Sequence, residues 1–299
     1  MSAPKKDLTL RKIQEAFPGA ITSKNLASCI RTILHDEEGY TNATTLLATS
    51  LCSDEVNRKL EGDLTKIYSS KSNYNPNFNM GGLSGFAHGG VTSFVAMAGH
   101  IPNGGNVVIV YGPHVGVDRE GTVGRVNRRG RSDRSNVCCG SADIARKHVL
   151  QNNNKKDNTS PPKDATDAQQ AFVQIMLQPY ANELACAPDI DVALPNALFK
   201  AQDVFMKDVI IKEVIDKSLL PDDFVGKIAL LGGIQINTPI PRSRSGKTEM
   251  DDYFLCKTFT ILDKMGVELN DHTSLLLNDG GGRGGCGGRG GGRGGGRDR

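Results

Sequence analysis

Four side chains in this 299-residue chain could together do metal chemistry: Cys52, His114 and the adjacent pair Cys138 and Cys139. Two thiolates and one imidazole suit Zn²⁺ and leave a fourth position open for water. Adjacent side chains diverge, so one of the two neighbouring cysteines is expected to coordinate. Cys139 is favoured, because Gly140 after it lets the backbone turn tightly into a helix, whose N-terminus lowers a thiol's pKa. Buried structural thiols and a turn histidine would use the same residue types, and spacing alone does not separate the two readings. Asp54 follows Cys52 by two residues, and Arg58 lies four further on. A carboxylate beside a zinc-activated water can take or orient its proton, and an arginine can hold that carboxylate. His88 and His100 stand in Gly-rich or turn contexts and have the right titration range for proton shuttling. Cys29, Cys186 and Cys256 lie in apolar stretches that read as core.

The elements around these residues are what would bring them together. Residues 45–52 are a Thr-rich apolar run that predicts a buried strand ending at Cys52, with a helix opening at Ser53. Residues 106–111 (NVVIVY) are the clearest strand, and His114 emerges just beyond it. Residues 137–150 predict a helix with both cysteines at its start. In open α/β sheets, ligands bind beyond the carboxyl ends of the strands, where all these residues fall. Further helices are expected over 7–17, 23–35 (capped by Ser23), 91–99, 168–177, 198–218 and 252–265, and another buried strand over 227–237. Residues 69–90, 125–135 and 151–167 read as loops. Fully apolar strands alternating with helices predict an α/β fold with a parallel or mixed central sheet.

Composition removes several classes. The chain carries 36 Lys and Arg against 33 Asp and Glu, a net charge of +3. All of that excess lies in the Gly- and Arg-rich stretch 279–299, which holds five Arg, two Asp and 13 of the 35 Gly. Residues 1–278 are neutral, and are expected to form one zinc domain, with 279–299 a disordered tail too poor in apolar side chains to fold. A neutral body argues against extensive nucleic-acid contact, which needs basic surface; the tail is the one segment suited to it. No apolar run is long enough to span a bilayer. The N-terminus shows no signal-peptide pattern, so the expected compartment is the cytoplasm, and the seven Cys read as thiols or metal ligands rather than a disulfide framework. Gly246-Lys-Thr248 lacks the first glycine of a P-loop, since Pro241 stands there. No G-x-G-x-x-G occurs in the two Gly-rich stretches, and the chain has neither H-E-x-x-H nor C-x-x-C.

The motifs Leu51-Cys-Ser-Asp-Glu-Val-Asn-Arg58, Gly81-Gly-Leu-Ser-Gly-Phe86, Tyr111-Gly-Pro-His-Val-Gly116, Asn127-Arg-Arg-Gly130 and Cys138-Cys-Gly140 stand in that order. Together with Leu231-Gly-Gly-Ile-Gln-Ile-Asn-Thr238 and Asp251-Asp-Tyr-Phe254, they resemble the limiting-CO₂-inducible protein B/C family. The resemblance implies a β-carbonic-anhydrase-like fold: a central, mostly parallel sheet flanked by helices. It also implies Zn²⁺ held by Cys52, His114 and Cys139 or Cys138, and reversible hydration of CO₂ to bicarbonate, as in the θ-class members; other members are inactive. Asp54 would belong to an Asp/Arg pair like that of β-class enzymes. Val56 occupies the place of the usual arginine, and Arg58 is the expected substitute. A homodimer is expected by analogy with the related fold, whose active sites lie near a subunit interface.

Overall fold

The computed structural model describes residues 5–68, 77–128, 131, 135–152, 167–239 and 250–277. The expectations for the tail, the 246–248 segment, and residues 69–76, 129–130, 132–134 and 153–166 of the expected loops lie outside them. Ten strands occur among the described residues: β1 (Ile21–Thr22), β2 (Thr45–Leu51), β3 (Asn77–Asn79), β4 (Asn106–Gly112), β5 (His114–Gly116), β6 (Arg125–Val126), β7 (Asn136–Val137), β8 (Ile228–Asn237), β9 (Tyr253–Leu262) and β10 (Glu268–Asp271). The helices are α1 (Lys5–Ala16), α2 (Ser23–Thr32), α3 (Arg58–Tyr68), α4 (Val91–Ala98), α5 (Gly140–Gln151), α6 (Ala168–Leu177), α7 (Ala181–Ala185), α8 (Ile190–Val204) and α9 (Lys212–Asp216).

One sheet organises the chain, in the order β1-β9-β8-β4-β2-β3, with β5 beside β8 and β10 beside β9. β3, β2, β4 and β8 run parallel, and β9 joins β8 antiparallel. β6 and β7 form a separate two-stranded ribbon. Parallel strands need cover on both faces, which is why β2, β4 and β8 read as continuous apolar runs. Their side chains alternate between two cores. Leu46, Ala48, Val107 and Ile109 meet residues of α1 and α4 to α9, whereas Leu47, Leu51, Val108 and Val110 meet Leu26, Ile30, Leu60 and Leu64 of α2 and α3. The expected α/β architecture with a mostly parallel sheet flanked by helices is therefore what the chain forms.

Local expectations fail in instructive places. Residues 253–262 form a strand, not a helix. Their aromatic and β-branched side chains (Tyr253, Phe254, Thr258, Phe259, Thr260, Ile261) suit a pleated surface, and burial on both faces hides the alternation that would have announced it. Thr22, not Ser23, caps α2, accepting from the Asn25 amide at 3.2 Å. The long helix begins at Ile190, earlier than residue 198, and passes through a π-helical turn, Phe205–Ile211, before α9. Cys29 and Cys256 are buried as expected, but Cys186 is exposed.

Candidate metal centre

The site gathers at the carboxyl edge of the parallel strands. Cys52 is the residue after β2. A short 3-10 turn, Glu55–Asn57, follows, and Asp54 caps it by accepting from the Val56 amide at 3.3 Å. The Cys52 carbonyl is held by Asn57 Nδ2 at 3.0 Å and by Arg58 Nη2 at 2.8 Å. Gly81 is needed for this packing: a Cβ there would lie 1.9 Å from the Leu51 carbonyl oxygen. His114 opens β5 after a break in which Gly112, at φ +150, passes so close to Gly233 that a Cβ would lie 1.7 Å from its carbonyl oxygen. β5 then continues parallel to β8, with His114 opposite Gln235. Cys139 is the N-cap residue of α5.

These placements converge. Cys52, His114 and Cys139 are all buried, and their ligand atoms lie within 4.8 Å of one another. The Cys52 and Cys139 sulfurs are 3.7 Å apart. A second set meeting the same criterion, Asp54, His114 and Cys138, shares the histidine. Its cysteine sulfur lies 3.3 Å from His114 Nδ1, whereas Cys139 joins Cys52. His114 Nδ1 is 2.8 Å from Asn237 Oδ1, while Nε2 is buried with no hydrogen-bond partner among the described residues. A fully buried ring nitrogen without a partner is costly unless something binds it. Two sulfurs with that nitrogen form a donor set that fits Zn²⁺.

Burial and charge tune these groups. Hydrogen bonding between Cys52 and Cys139 is the leading influence on both: it raises Cys52 and lowers Cys139, which α5 favours further through the Ala142 amide. Cys139 is thus the more acidic thiol of the pair. Burial disfavours a charged His114 ring, but the Cys138 and Cys139 sulfurs outweigh it and raise its proton affinity. For Asp54 burial also acts upward and is outweighed by the hydrogen bonds of Arg128, which hold the carboxyl far below its ordinary range.

That arginine corrects the sequence reading. Asp54 pairs with Arg128, whose Nη1 and Nη2 meet its two oxygens at 2.6 and 2.7 Å. Arg58 bonds instead to Glu61 and to the Cys52 carbonyl. The reason is directional: Asp54 turns its carboxylate back toward its own 3-10 amide and His114, and Arg58, starting α3, extends along the helix to Glu61 one turn on. Arg128 also bonds Glu55. Asp54 Oδ2 comes within 4.0 Å of His114 Nε2, so the carboxylate faces the same space as the unpartnered nitrogen.

Other residues reach the centre without having been singled out. Ser84, in the left-handed region at φ 55, places Oγ 3.1 Å from Ser141 Oγ and 3.9 Å from the Cys139 sulfur. Ser84, Arg128 and Asn237 lie inside motifs the sequence displays, but only the fold shows what they touch. His88 and His100 are exposed and belong to neither ligand set; His100 packs against Phe78 instead.

Comparison with known proteins decides the family. The family described as limiting CO₂-inducible proteins B/C beta carbonic anhydrases matches residues 20–263. The chain belongs to that family. Among solved structures, that of PtLCIB4, titled a homolog of the limiting CO₂-inducible protein LCIB, is 42% identical with a TM-score of 0.75, covering 88% of this chain and 100% of its own. A PtLCIB4 H88A mutant is 41% identical, again with a TM-score of 0.75, covering 89% and 98%. The limiting CO₂-inducible protein LCIB shares the fold at 17% identity and a TM-score of 0.58, over 86% and 95%. No curated protein sequence matches the chain. The chain has a mixed α/β fold and a Cys/His/Cys set that could hold a metal. No described helix is long and apolar enough to cross a membrane.

Proposed function

We propose that the chain is a zinc carbonic anhydrase that interconverts CO₂ and bicarbonate, with Cys52, His114 and Cys139 holding the metal. The observation that carries this reading is the convergence of three buried ligand atoms on a space faced by an arginine-held carboxylate. Zinc, when bound, supplies the Lewis acidity that makes water nucleophilic near neutral pH. The chain's own groups do the rest. Arg128 keeps Asp54 ionised and fixes both of its oxygens, so the carboxylate is an acceptor aimed at the space beside His114 Nε2. Asn237 holds the outer nitrogen of the ring. CO₂ is uncharged, and a neutral body needs no basic surface to gather it. Two sulfur ligands bring more negative charge than imidazoles would, so activity is expected to favour alkaline pH. By analogy with related folds, the active form is a homodimer.

The test is zinc analysis joined to stopped-flow CO₂ hydration from about pH 7 to 9, on wild type and His114→Ala. Stoichiometric zinc with hydratase activity, both lost in the variant, is the expected result. Stoichiometric zinc without activity at any of these pH values would leave a non-catalytic family member acting as a structural or bicarbonate-handling partner. Sedimentation of the same preparation reads the oligomeric state.

A further inference from the structure

Asn237, at the end of β8, makes four polar contacts that leave its amide one orientation, two at Nδ2 and two at Oδ1, the longest from the Cys138 sulfur to Oδ1 at 3.7 Å. Its Nδ2 lies 3.1 Å from the Val56 carbonyl oxygen and 3.4 Å from Asp252 Oδ2. Both are acceptors, so the NH₂ must face them. Turning the amide over would set its oxygen against a carbonyl and a carboxylate. Oδ1 is thereby directed at His114 Nδ1, 2.8 Å away. Because a carbonyl oxygen only accepts, Nδ1 must carry the proton, and the neutral ring presents its Nε2 lone pair to the metal space.

We propose that Asp252 is the positioning residue of the metal centre, setting the His114 tautomer through Asn237 without touching any ligand. Its own geometry suits the task. Asp252 is 5% exposed, and its Oδ1 accepts from the Thr238 amide at 2.9 Å and the Thr238 hydroxyl at 3.4 Å. Oδ2 is thereby left for Asn237. A carboxylate alone among side chains of this size is an acceptor at both ends. An amide at 252 could satisfy Thr238 or Asn237 but would turn its own NH₂ on the other. Two further sequence motifs, Leu231–Thr238 and Asp251–Phe254, thus acquire one role: the ends of adjacent antiparallel strands meet so that the carboxylate just before β9 orients the amide that ends β8. The inference rests on the reading that His114 is a metal ligand.

The experiment measures zinc affinity by competition with a chromophoric chelator, and the ring tautomer of neutral His114 in the metal-free protein by long-range ¹H–¹⁵N NMR. The chains compared are wild type, Asp252→Asn, Asn237→Asp and the double variant. Asp252→Asn is expected to weaken zinc binding about 10- to 100-fold and to populate the Nε2–H tautomer. In the Asn237→Asp background the same change should cause no loss of affinity and no shift of tautomer, because a carboxylate at 237 presents an acceptor to Nδ1 whichever way it turns and the amide at 252 relieves its repulsion from Asp252. A merely structural Asp252 would lower affinity equally in both backgrounds. Asp252→Ser gives the same readout if the amide variant does not fold. Unchanged affinity and tautomer in Asp252→Asn would overturn the proposal. Were wild type to bind no zinc, the carbonic anhydrase reading would fail, and the tautomer would still decide the role of Asp252.

Discussion

Asp54 receives both terminal nitrogens of Arg128, at 2.6 and 2.7 Å, across 74 residues of chain. The pair does at long range what an arginine two residues after the aspartate would do locally, where Val56 stands. A bidentate guanidinium fixes direction as well as charge. Arg128→Ala is therefore expected to lower kcat/KM for CO₂ hydration by about 10²–10³, the usual cost of losing a preorganised charged partner, with zinc content unchanged. Arg128→Lys should recover little of the loss, since an ammonium cannot make the planar fork. Arg58→Ala should cost far less, because Asn57 also holds the Cys52 carbonyl. Equal losses in the two alanine variants, read by stopped-flow kinetics, would return Arg58 to the catalytic role.

The two neighbouring cysteines separate by what they face. Cys139 lies 3.7 Å from the Cys52 sulfur, and Cys138 lies 3.3 Å from the outer nitrogen of His114. Cys139→Ser is expected to lose most bound zinc and to remove one sulfur from the charge-transfer absorption of a cobalt-substituted sample. Cys138→Ser should keep both. The opposite pattern would make Cys138 the ligand and assign Cys139 to packing with Ser84.

How much of this was legible beforehand follows from how far apart the interacting residues are. β2, β4 and β8 were readable because strands buried on both faces are uninterrupted apolar runs, and Cys52 and His114 could be placed at strand ends for that reason. The same burial hid β9, whose alternation has no polar face to mark it. Asp54 was visible from its proximity to Cys52. Arg128 was not, because the loop carrying it folds back from beyond β5, and the nearer Arg58 satisfied the spacing argument. Asn237 lies 123 residues from His114. Its motif shows in the sequence, but the contact exists only through the pairing of β5 with β8.

Gly81 packs against the strand that delivers Cys52. With a Cβ 1.9 Å from the Leu51 carbonyl, backbone must move, since no flexible side chain can yield there. Gly81→Ala is expected to cost about 1–3 kcal/mol of stability and to weaken zinc binding by displacing Cys52. Gly140→Ala is the control, because a Cβ at that position meets nothing within 4 Å among the described residues. Urea unfolding and chelator competition on both variants check this; equal behaviour would show that the tight approach at residue 81 is not needed to place the thiol.

Burial of Asp252 has a consequence for pH. Its carboxyl is pushed up from the ordinary 3.8 to about 6, desolvation outweighing the bonds from Thr238 and Asn237. The folded state therefore holds this proton more tightly than the unfolded chain. The stability it contributes is fully present below the ordinary value and is lost as pH rises through about 6. A shift of roughly two units corresponds to about 3 kcal/mol. Other carboxylates titrate in the same range, so the quantity to measure is the difference in unfolding free energy between wild type and Asp252→Asn, both metal-free. Wild type should lose about 3 kcal/mol relative to the variant between pH 3 and 7, and denaturant titrations at each pH would show it. Hydrogen bonds lost by the substitution offset the curves without changing this slope. At neutral pH the charged Asp252 thus costs metal-free stability while it fixes the amide that orients His114. Parallel stability curves would mean that the carboxyl is not desolvated, and that its strand end is open to water.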